Sequence, residues 1–213
     1  MNAIRVSNRA GRTLGMALTA ILLVGCRPAR GGDITITVTG TVNGGRDYFG
    51  IFGLGRTVPQ GTPYKLVFTF DDTKGLPMNL GRCPSSGSGI TGAGPMSPGT
   101  AVLTINGKSF EFGRKPDARS KTWRSVATVC SSSEIGIAVE EGPAAMPSGV
   151  SIKVRPNQGQ KPLTQNGNWQ SGVSLSNFDA RNVDNAFAIR RPWNYSAETM
   201  SYLSVDTVTI SGR

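Results

Sequence analysis

The chain has 213 residues, with 23 Lys and Arg against 13 Asp and Glu for a formal charge of +10, and it contains no His. The missing His excludes Ser-His-Asp triads, Cys-His dyads and His-ligated zinc sites, and the length favours one domain with a substantial core. With 28 Gly, 13 Pro and 17% charged residues, the composition favours short strands joined by turns over a helical protein.

The first 25 residues have the pattern of an export signal. Arg5, Arg9 and Arg12 form a basic region without acidic residues, and Thr13–Gly25 then carries no charge. This apolar run is too short to span a bilayer, which needs about 20 residues. We therefore predict a signal peptide over residues 1–25.

The signal ends in Leu23-Val24-Gly25-Cys26, which resembles the lipobox of bacterial lipoproteins. The resemblance implies cleavage before Cys26, a diacylglyceryl thioether on its sulfur and an acylated amine, which together form a durable membrane anchor. Because Arg27 rather than Asp follows the cysteine, the resemblance also favours the outer membrane as the location of the protein. The alternative is an ordinary secretory signal. Cleavage removes three Arg and no acidic residue, so the formal charge falls from +10 to +7.

Two further cysteines lie in the body of the chain. If Cys26 carries lipid, Cys83 and Cys130 remain as one pair in an exported protein. Such pairs are usually oxidised, so we predict a Cys83–Cys130 disulfide. The alternative, two free thiols, conflicts with export.

After a tether at residues 26–33, residues 34–213 show repeated alternation of apolar and polar side chains, which is typical of strands. Asn106-Gly107 separates two such runs and predicts a type I′ hairpin. The first and last strands share a Thr, Val and Ile composition, which favours their pairing. We therefore expect an all-β fold, an antiparallel β-sandwich of eight or nine strands. The predicted strands are 34–39, 64–70, 102–105, 108–112, 122–130, 134–140, 149–155, 173–178 and 202–211.

Two connections stand out from this pattern. Gly75–Gly99 is rich in Gly, Pro and Ser, and we predict a long loop that is either functional or mobile. Its Gly87-x-Gly89-x-x-Gly92 run does not predict a dinucleotide site, because Gly94-Pro95 prevents a helix from starting there, and no cofactor is expected. Tyr48–Leu54 is unusually apolar. It either lines a groove or covers the core, and we favour the second interpretation.

The densest basic segment is Gly113–Arg124, which has a single acidic residue, Asp117. On an anchored protein this segment predicts a surface for lipopolysaccharide phosphates, anionic headgroups or acidic polysaccharide. The alternative is a solvated hairpin loop, and it is the favoured one. No recognition motif accompanies the charge, so nucleic acid is not an expected partner. The candidate ligand-binding residues are Arg114, Lys115, Arg119, Lys121, Trp123 and Arg124.

Carboxylates offer a weaker basis for chemistry. Asp71-Asp72 and Glu140-Glu141 are adjacent pairs, and neighbouring residues of a strand point to opposite faces, so neither pair can share one site. A hydrolase would need carboxylates that converge from separate strands.

One loop carries oxygen ligands of the kind that Ca²⁺ prefers, at alternate spacing. The candidate metal ligands are Asp179, Asn182 and Asp184. The segment lacks the full calcium-loop pattern, and the alternative is a run of Asx-turns between strands.

The runs Thr39–Asp47, Gly50–Gly53, Tyr64–Asp71 and Leu103–Phe110 together resemble a loose group of exported bacterial β-rich proteins, many of which carry a PEP-CTERM sorting tail. The resemblance covers roughly residues 35–113 and implies export and a β fold, with no general activity. This sequence lacks the sorting tail, and the lipid on Cys26 is expected to replace that anchor.

The sequence thus predicts a lipid-anchored envelope protein that acts without catalysis. We expect a binding or structural module for an anionic or glycan envelope component. The alternatives are an accessory subunit of an envelope protein complex and a carboxylate-dependent envelope hydrolase.

Overall fold

Apolar residues at every second position of the first strand are buried, as the alternating sequence predicts. The computed structural model describes residues 33–71, 73–77, 88–125, 134–155, 173–176, 185–191 and 194–212. In β1, Asp33–Asp47, the side chains of Ile34, Ile36 and Val38 are at most 1% exposed, and the threonines between them are half-buried. This follows from the geometry of a strand, in which successive side chains point to opposite faces.

Thirteen strands in the described part of the chain form one antiparallel sheet. Their bounds are β1 (Asp33–Asp47), β2 (Thr57–Val58), β3 (Pro63–Asp71), β4 (Leu76–Pro77), β5 (Ser88–Ala93), β6 (Gly99–Ile105), β7 (Lys108–Phe112), β8 (Arg119–Ser125), β9 (Glu134–Glu141), β10 (Ser148–Val154), β11 (Val173–Ser176), β12 (Ala186–Arg191) and β13 (Asn194–Gly212). Their order across the sheet is β4-β5-β8-β9-β10-β12-β13-β1-β3-β6-β7, with β2 beside β1 and β11 beside β13.

The sheet is curled into a half-barrel whose two arms share one hydrophobic core. One arm contains β5, β8, β9, β10 and β12, and the other contains β3, β6 and β7. Among the described residues, hydrogen bonds between the arms include Gly99 N to Ser120 Oγ at 2.8 Å and Gly113 N to Glu141 Oε2 at 3.0 Å. Side chains from both arms therefore fill the core, and backbone N–H groups at the edge of the core have side-chain oxygens as hydrogen-bond partners.

The predicted all-β, antiparallel fold is confirmed. The expected arrangement of eight or nine strands in two sheets differs from the observed one, because hydrogen-bonded strand pairs connect all the described strands into one sheet. The cause is the length of β13, which pairs with β12 over residues 194–202 on one side and with β1 over residues 199–212 on the other. No helix within the described ranges is long and apolar enough to cross a membrane.

The first and last strands pair as predicted, from Ile34 opposite Gly212 to Asp47 opposite Thr199. The register shifts after Thr39 and again after Val42, and such bulges bend the strands and help the sheet curl. Gly40 lies at the first shift, where a Cβ would stand 1.9 Å from the carbonyl oxygen of Ser204. Only glycine permits this close approach of the two backbones.

The predicted hairpin is also present. Ile105 pairs with Lys108, and the two residues between them, Asn106 and Gly107, have φ of 50° and 70°. Positive φ at both central positions is the requirement of a type I′ turn.

The prediction was wrong for part of Gly75–Gly99, which contains more than a loop. β5 pairs with β8 from Ser88 opposite Arg124 to Ala93 opposite Arg119, and a 3-10 turn follows at Gly94–Met96. The turn folds back onto β5, so a Cβ at Gly92 would stand 1.9 Å from the carbonyl oxygen of Met96. The sequence did not predict this strand because glycine, which the contact requires, is unfavourable in strands.

Candidate functional site

The basic segment Gly113–Arg124 is divided by the start of β8. Lys115 lies in the loop before the strand, whereas Arg119 and Lys121 lie two residues apart on β8 and so share one face. Ser120, between them, is 3% exposed and faces the core. The segment therefore supplies cations to two separate clefts.

The first cleft, the Lys115 cleft, is built on a buried carboxylate. Glu141 is 3% exposed, and its Oε1 lies 3.0 Å from Lys115 Nζ. The other oxygen, Oε2, accepts a hydrogen bond from the backbone N–H of Gly113 at 3.0 Å. Since the carboxylate is held at both oxygens, it positions the ammonium of Lys115, whose side chain remains 53% exposed, at the rim of the cleft.

Arg190 and Arg191 bring two more cations to the Lys115 cleft. Arg190 Nε lies 2.9 Å from Glu198 Oε2, and its Nη1 donates to the carbonyl of Pro147 at 2.8 Å. The backbone N–H of Arg190 donates to Ser148 Oγ at 2.8 Å. These bonds hold Arg190 in one orientation.

Arg191 is fixed by an aromatic ring rather than by a carboxylate. Its guanidinium carbon lies 4.5 Å from the ring centroid of Phe49, a cation–π contact that leaves the side chain exposed. The Lys115 cleft has a volume of about 190 Å³, and beside the cations and Glu141 its lining includes Asp117 and apolar surface from Pro143 and Met146. An anionic group attached to an apolar moiety matches this combination.

The sequence did not identify Arg190 and Arg191 as site residues. They end β12, a strand that the sequence analysis did not predict, and they lie more than 70 positions after Lys115. The available signal was the adjacent pair of arginines after the apolar run Ala186–Ile189.

The second cleft, the outer cleft, lies on the outer face of β8 and β9. Arg119 Nη2 is 3.8 Å from Glu140 Oε2 across the two strands, and Lys121 pairs in register with Thr91 on one side and Ala138 on the other. The cleft has a volume of about 200 Å³. Ala138, 3% exposed, forms its floor.

The remaining residues of the predicted binding segment contribute less. Arg114 Nε lies 2.8 Å from Glu111 Oε2, and these side chains are 70% and 50% exposed, so this surface ion pair adds little stability. Trp123 and Arg124 occupy positions of β8 opposite Gly136 and Ile135, and their side chains lie outside the described residues.

The carboxylate pairs behave as predicted where the structure describes them. Glu140 and Glu141 lie on opposite faces of β9, one paired with Arg119 and the other with Lys115. Asp71 ends β3, and hydrogen bonds from Thr73, with Lys74 nearby, lower the pKa of its carboxyl below the usual range. The described residues contain no group of three or more Cys, Asp or Glu placed to hold a metal ion.

The apolar loop Tyr48–Leu54 covers the core. Phe52 is fully buried and meets Phe187 edge to face at 5.6 Å, while Ile51 and Leu54 are partly buried against the core. Only Tyr48, 46% exposed, presents a large surface to solvent within the loop. This confirms the favoured interpretation of the loop as core covering.

Other predicted site residues lie outside the described residues, and their predictions stand as made. They are the lipidation site Cys26, the disulfide pair Cys83 and Cys130, and the candidate metal ligands Asp179, Asn182 and Asp184.

Comparisons with protein families, with curated proteins and with solved structures find no match to this chain. The assignment of function therefore rests on the geometry of the Lys115 cleft and the outer face.

Proposed function

We propose that this protein is a lipid-anchored, non-catalytic envelope protein that binds an anionic envelope component in the Lys115 cleft. The observation that carries the proposal is the convergence of Lys115, Arg190 and Arg191, from two distant parts of the chain, around one partly apolar cleft. A phosphate or carboxylate that belongs to a larger amphipathic molecule suits this site, because the cations contact the charge and Pro143 and Met146 contact the apolar part.

The lipid anchor on Cys26 supports the choice of ligand. A protein held at the outer membrane by a tether of eight residues, 26–33, stays close to phosphate-bearing lipids. Lipopolysaccharide, which combines phosphates with acyl chains, is therefore the first ligand to test. We further infer that the two arms of the curled sheet serve as the two layers of a β-sandwich, since side chains of both arms fill one core.

The alternative of an accessory subunit has less support. Its contact surface would be the Tyr48–Leu54 loop or the Gly75–Gly99 loop. Most of the apolar area of the first is already buried in the core, and part of the second is strand β5, which pairs with β8. The hydrolase alternative requires carboxylates that converge from separate strands. Asp117 and Glu141 both line the Lys115 cleft, but Glu141 is buried and held at both oxygens by Lys115 and the backbone N–H of Gly113.

The test is binding of the purified protein to phosphatidylcholine vesicles with and without lipopolysaccharide. We expect Arg191→Gln to weaken binding to the lipopolysaccharide vesicles about three- to tenfold, because one charge-assisted contact is lost. Raising the salt concentration should weaken binding by the wild-type protein. Arg191 is preferred to Lys115 because removing Lys115 would leave the buried carboxylate of Glu141 without its cation.

Lys65→Gln is the matched control. Lys65 is an exposed cation of β3, on the other arm of the sheet, and its substitution removes the same charge without touching the cleft. Equal affinity of Arg191→Gln and the wild-type protein for the vesicles would contradict the proposal.

A further inference from the structure

The register of the sheet assembles a shallow surface that no single stretch of sequence displays. On the outer face, Glu140 pairs with Gly149 and Gly149 with Ala188, while Ala138 pairs with Ser151 and Ser151 with Ala186. Small side chains therefore form one full row across β9, β10 and β12 and a shorter row on β10 and β12, which ends at Glu140 on β9. We call this floor the outer trough; its residues are Ala138, Gly149, Ser151, Ala186 and Ala188.

Larger side chains border the outer trough on both sides. Arg119 and Lys121 stand on β8, continuing the two rows in one direction, and Met200 and Tyr202 stand on β13, continuing them in the other. Four strand-to-strand steps separate β8 from β13, which places the walls about 19 Å apart. The outer cleft of about 200 Å³ is the part of this surface beside the β8 wall.

The wall on β13 offers an aromatic platform. Tyr202 is 54% exposed although its neighbours in sequence, Ser201 and Leu203, are at most 2% exposed. Alternation along the strand thus sends the Tyr202 ring outward, next to the small side chain of Ala186. An exposed, rigid, amphipathic ring beside a flat floor is suited to stacking on a sugar ring.

The charge on this outer face is mainly positive. Arg119 pairs with Glu140 and Arg190 with Glu198, and the described side chains of this part of the face include five cations and two carboxylates. Arg46 continues one row beyond Met200, and Lys153 pairs with Gly136 at the end of the floor. The cationic side chains are Arg46, Arg119, Lys121, Lys153 and Arg190, and the carboxylates are Glu140 and Glu198.

We propose that the outer trough binds a linear acidic polysaccharide. The extended floor accommodates a chain rather than a compact group, the cations complement carboxylates on the chain, and Tyr202 stacks on one of its sugars. A lipid is a poorer fit because the floor is shallow and polar groups border it. Arg190 borders both sites, but Lys121 and Tyr202 do not line the Lys115 cleft, so the proposal can be tested separately from the proposed ligand of that cleft.

The test is calorimetric titration of the purified protein with polygalacturonate oligosaccharides, with neutral dextran oligosaccharides as the uncharged probe. The protein should bind polygalacturonate and not dextran. We expect Tyr202→Ala to weaken binding at least tenfold and Lys121→Gln to weaken it about threefold, with a shallower dependence on salt for Lys121→Gln.

Three matched controls should leave polygalacturonate binding unchanged. Tyr48→Ala removes a tyrosine of similar exposure, 46% against 54% for Tyr202, Lys65→Gln removes a cation from the other arm, and Arg191→Gln alters the Lys115 cleft. Absence of polygalacturonate binding, or wild-type affinity in Tyr202→Ala, would overturn the proposal. So would loss of binding in Arg191→Gln alone, which would assign the polysaccharide to the Lys115 cleft. The lipopolysaccharide vesicle assay tests the proposed ligand of the Lys115 cleft independently, so failure of the outer trough proposal can be distinguished from failure of the proposed function.

Discussion

Asp47 is a carboxylate with only 1% exposure, at the point where β1 gives way to the Tyr48–Leu54 loop. Its Oδ1 accepts hydrogen bonds from Ile51 N at 2.8 Å and Thr199 Oγ1 at 3.1 Å, and its Oδ2 accepts one from Phe52 N at 2.9 Å. A buried carboxylate is tolerated only when its oxygens are satisfied in this way. One residue thus holds the loop so that Phe52 enters the core.

We predict that Asp47→Asn lowers the free energy of unfolding by about 3 kcal/mol. The amide can accept from one backbone N–H but turns its own NH₂ toward the other, so a buried donor loses its partner. Chemical denaturation measures the change. Asp33→Asn, an exposed aspartate at the start of β1, is the control and should change stability by less than about 0.5 kcal/mol. A comparable stability for Asp47→Asn and the wild-type protein would show that the carboxylate does not hold the loop.

The β6–β7 hairpin shows how an element serves a distant part of the molecule. Asn106 and Gly107 form its turn, and Asn106 Nδ2 donates to the carbonyl of Phe52 at 3.2 Å. The turn was evident in the sequence because Asn-Gly has a strong local preference for positive φ. Its contact with the Tyr48–Leu54 loop was not, since it joins residues 54 positions apart.

We predict that Gly107→Ala destabilises the protein by about 1–2 kcal/mol. A Cβ at Gly107 would meet no atom within 4 Å, so the whole effect comes from its φ of +70°. Thermal and denaturant unfolding measure the loss. Gly107→Asn should cost less than Gly107→Ala, because Asn tolerates the left-handed conformation. Equal losses in the two variants would point to a cause other than backbone strain.

The position of β8 in the chain decides which cations can act together at one site. Its alternation sends Arg119 and Lys121 to the outer face and Ser120 to the core, so the basic segment cannot act as one continuous patch. The sequence identified Lys115, Arg119 and Lys121 as candidate ligand contacts. Their division between two clefts depends on where the strand begins, which composition does not reveal.

At the scale of the whole molecule, we propose that the positive charge and the lipid anchor act together. Removing the signal would leave a formal charge of +7, and the structure concentrates cations around the Lys115 cleft and on the outer face. Such a field raises the local concentration of anionic ligands and is weakened by salt. A lipid on Cys26 would confine this field to the membrane surface.

We predict that intact-mass analysis of the membrane-extracted protein will show a chain that begins at Cys26 and carries diacylglyceryl and acyl groups. Its mass should rise by two hydrogens after reduction if Cys83 and Cys130 form the disulfide that we predict from the sequence. Cys26→Ser is the control and should release the protein from the membrane. A membrane-free wild-type protein would contradict the anchor, and an unchanged mass on reduction would contradict the disulfide.

The sequence by itself determined the β class, the pairing of the terminal strands and the Asn106-Gly107 turn, because each follows from side-chain alternation or local backbone preference. It also identified three of the seven cationic residues at the proposed sites, Lys115, Arg119 and Lys121. Only the tertiary structure decided that one sheet curls around the core, that Arg190 and Arg191 join Lys115, and that Tyr202 faces Lys121 across the outer trough. These features depend on strand order and register, which are fixed by the burial of many side chains at once and by backbone contacts at positions such as Gly40.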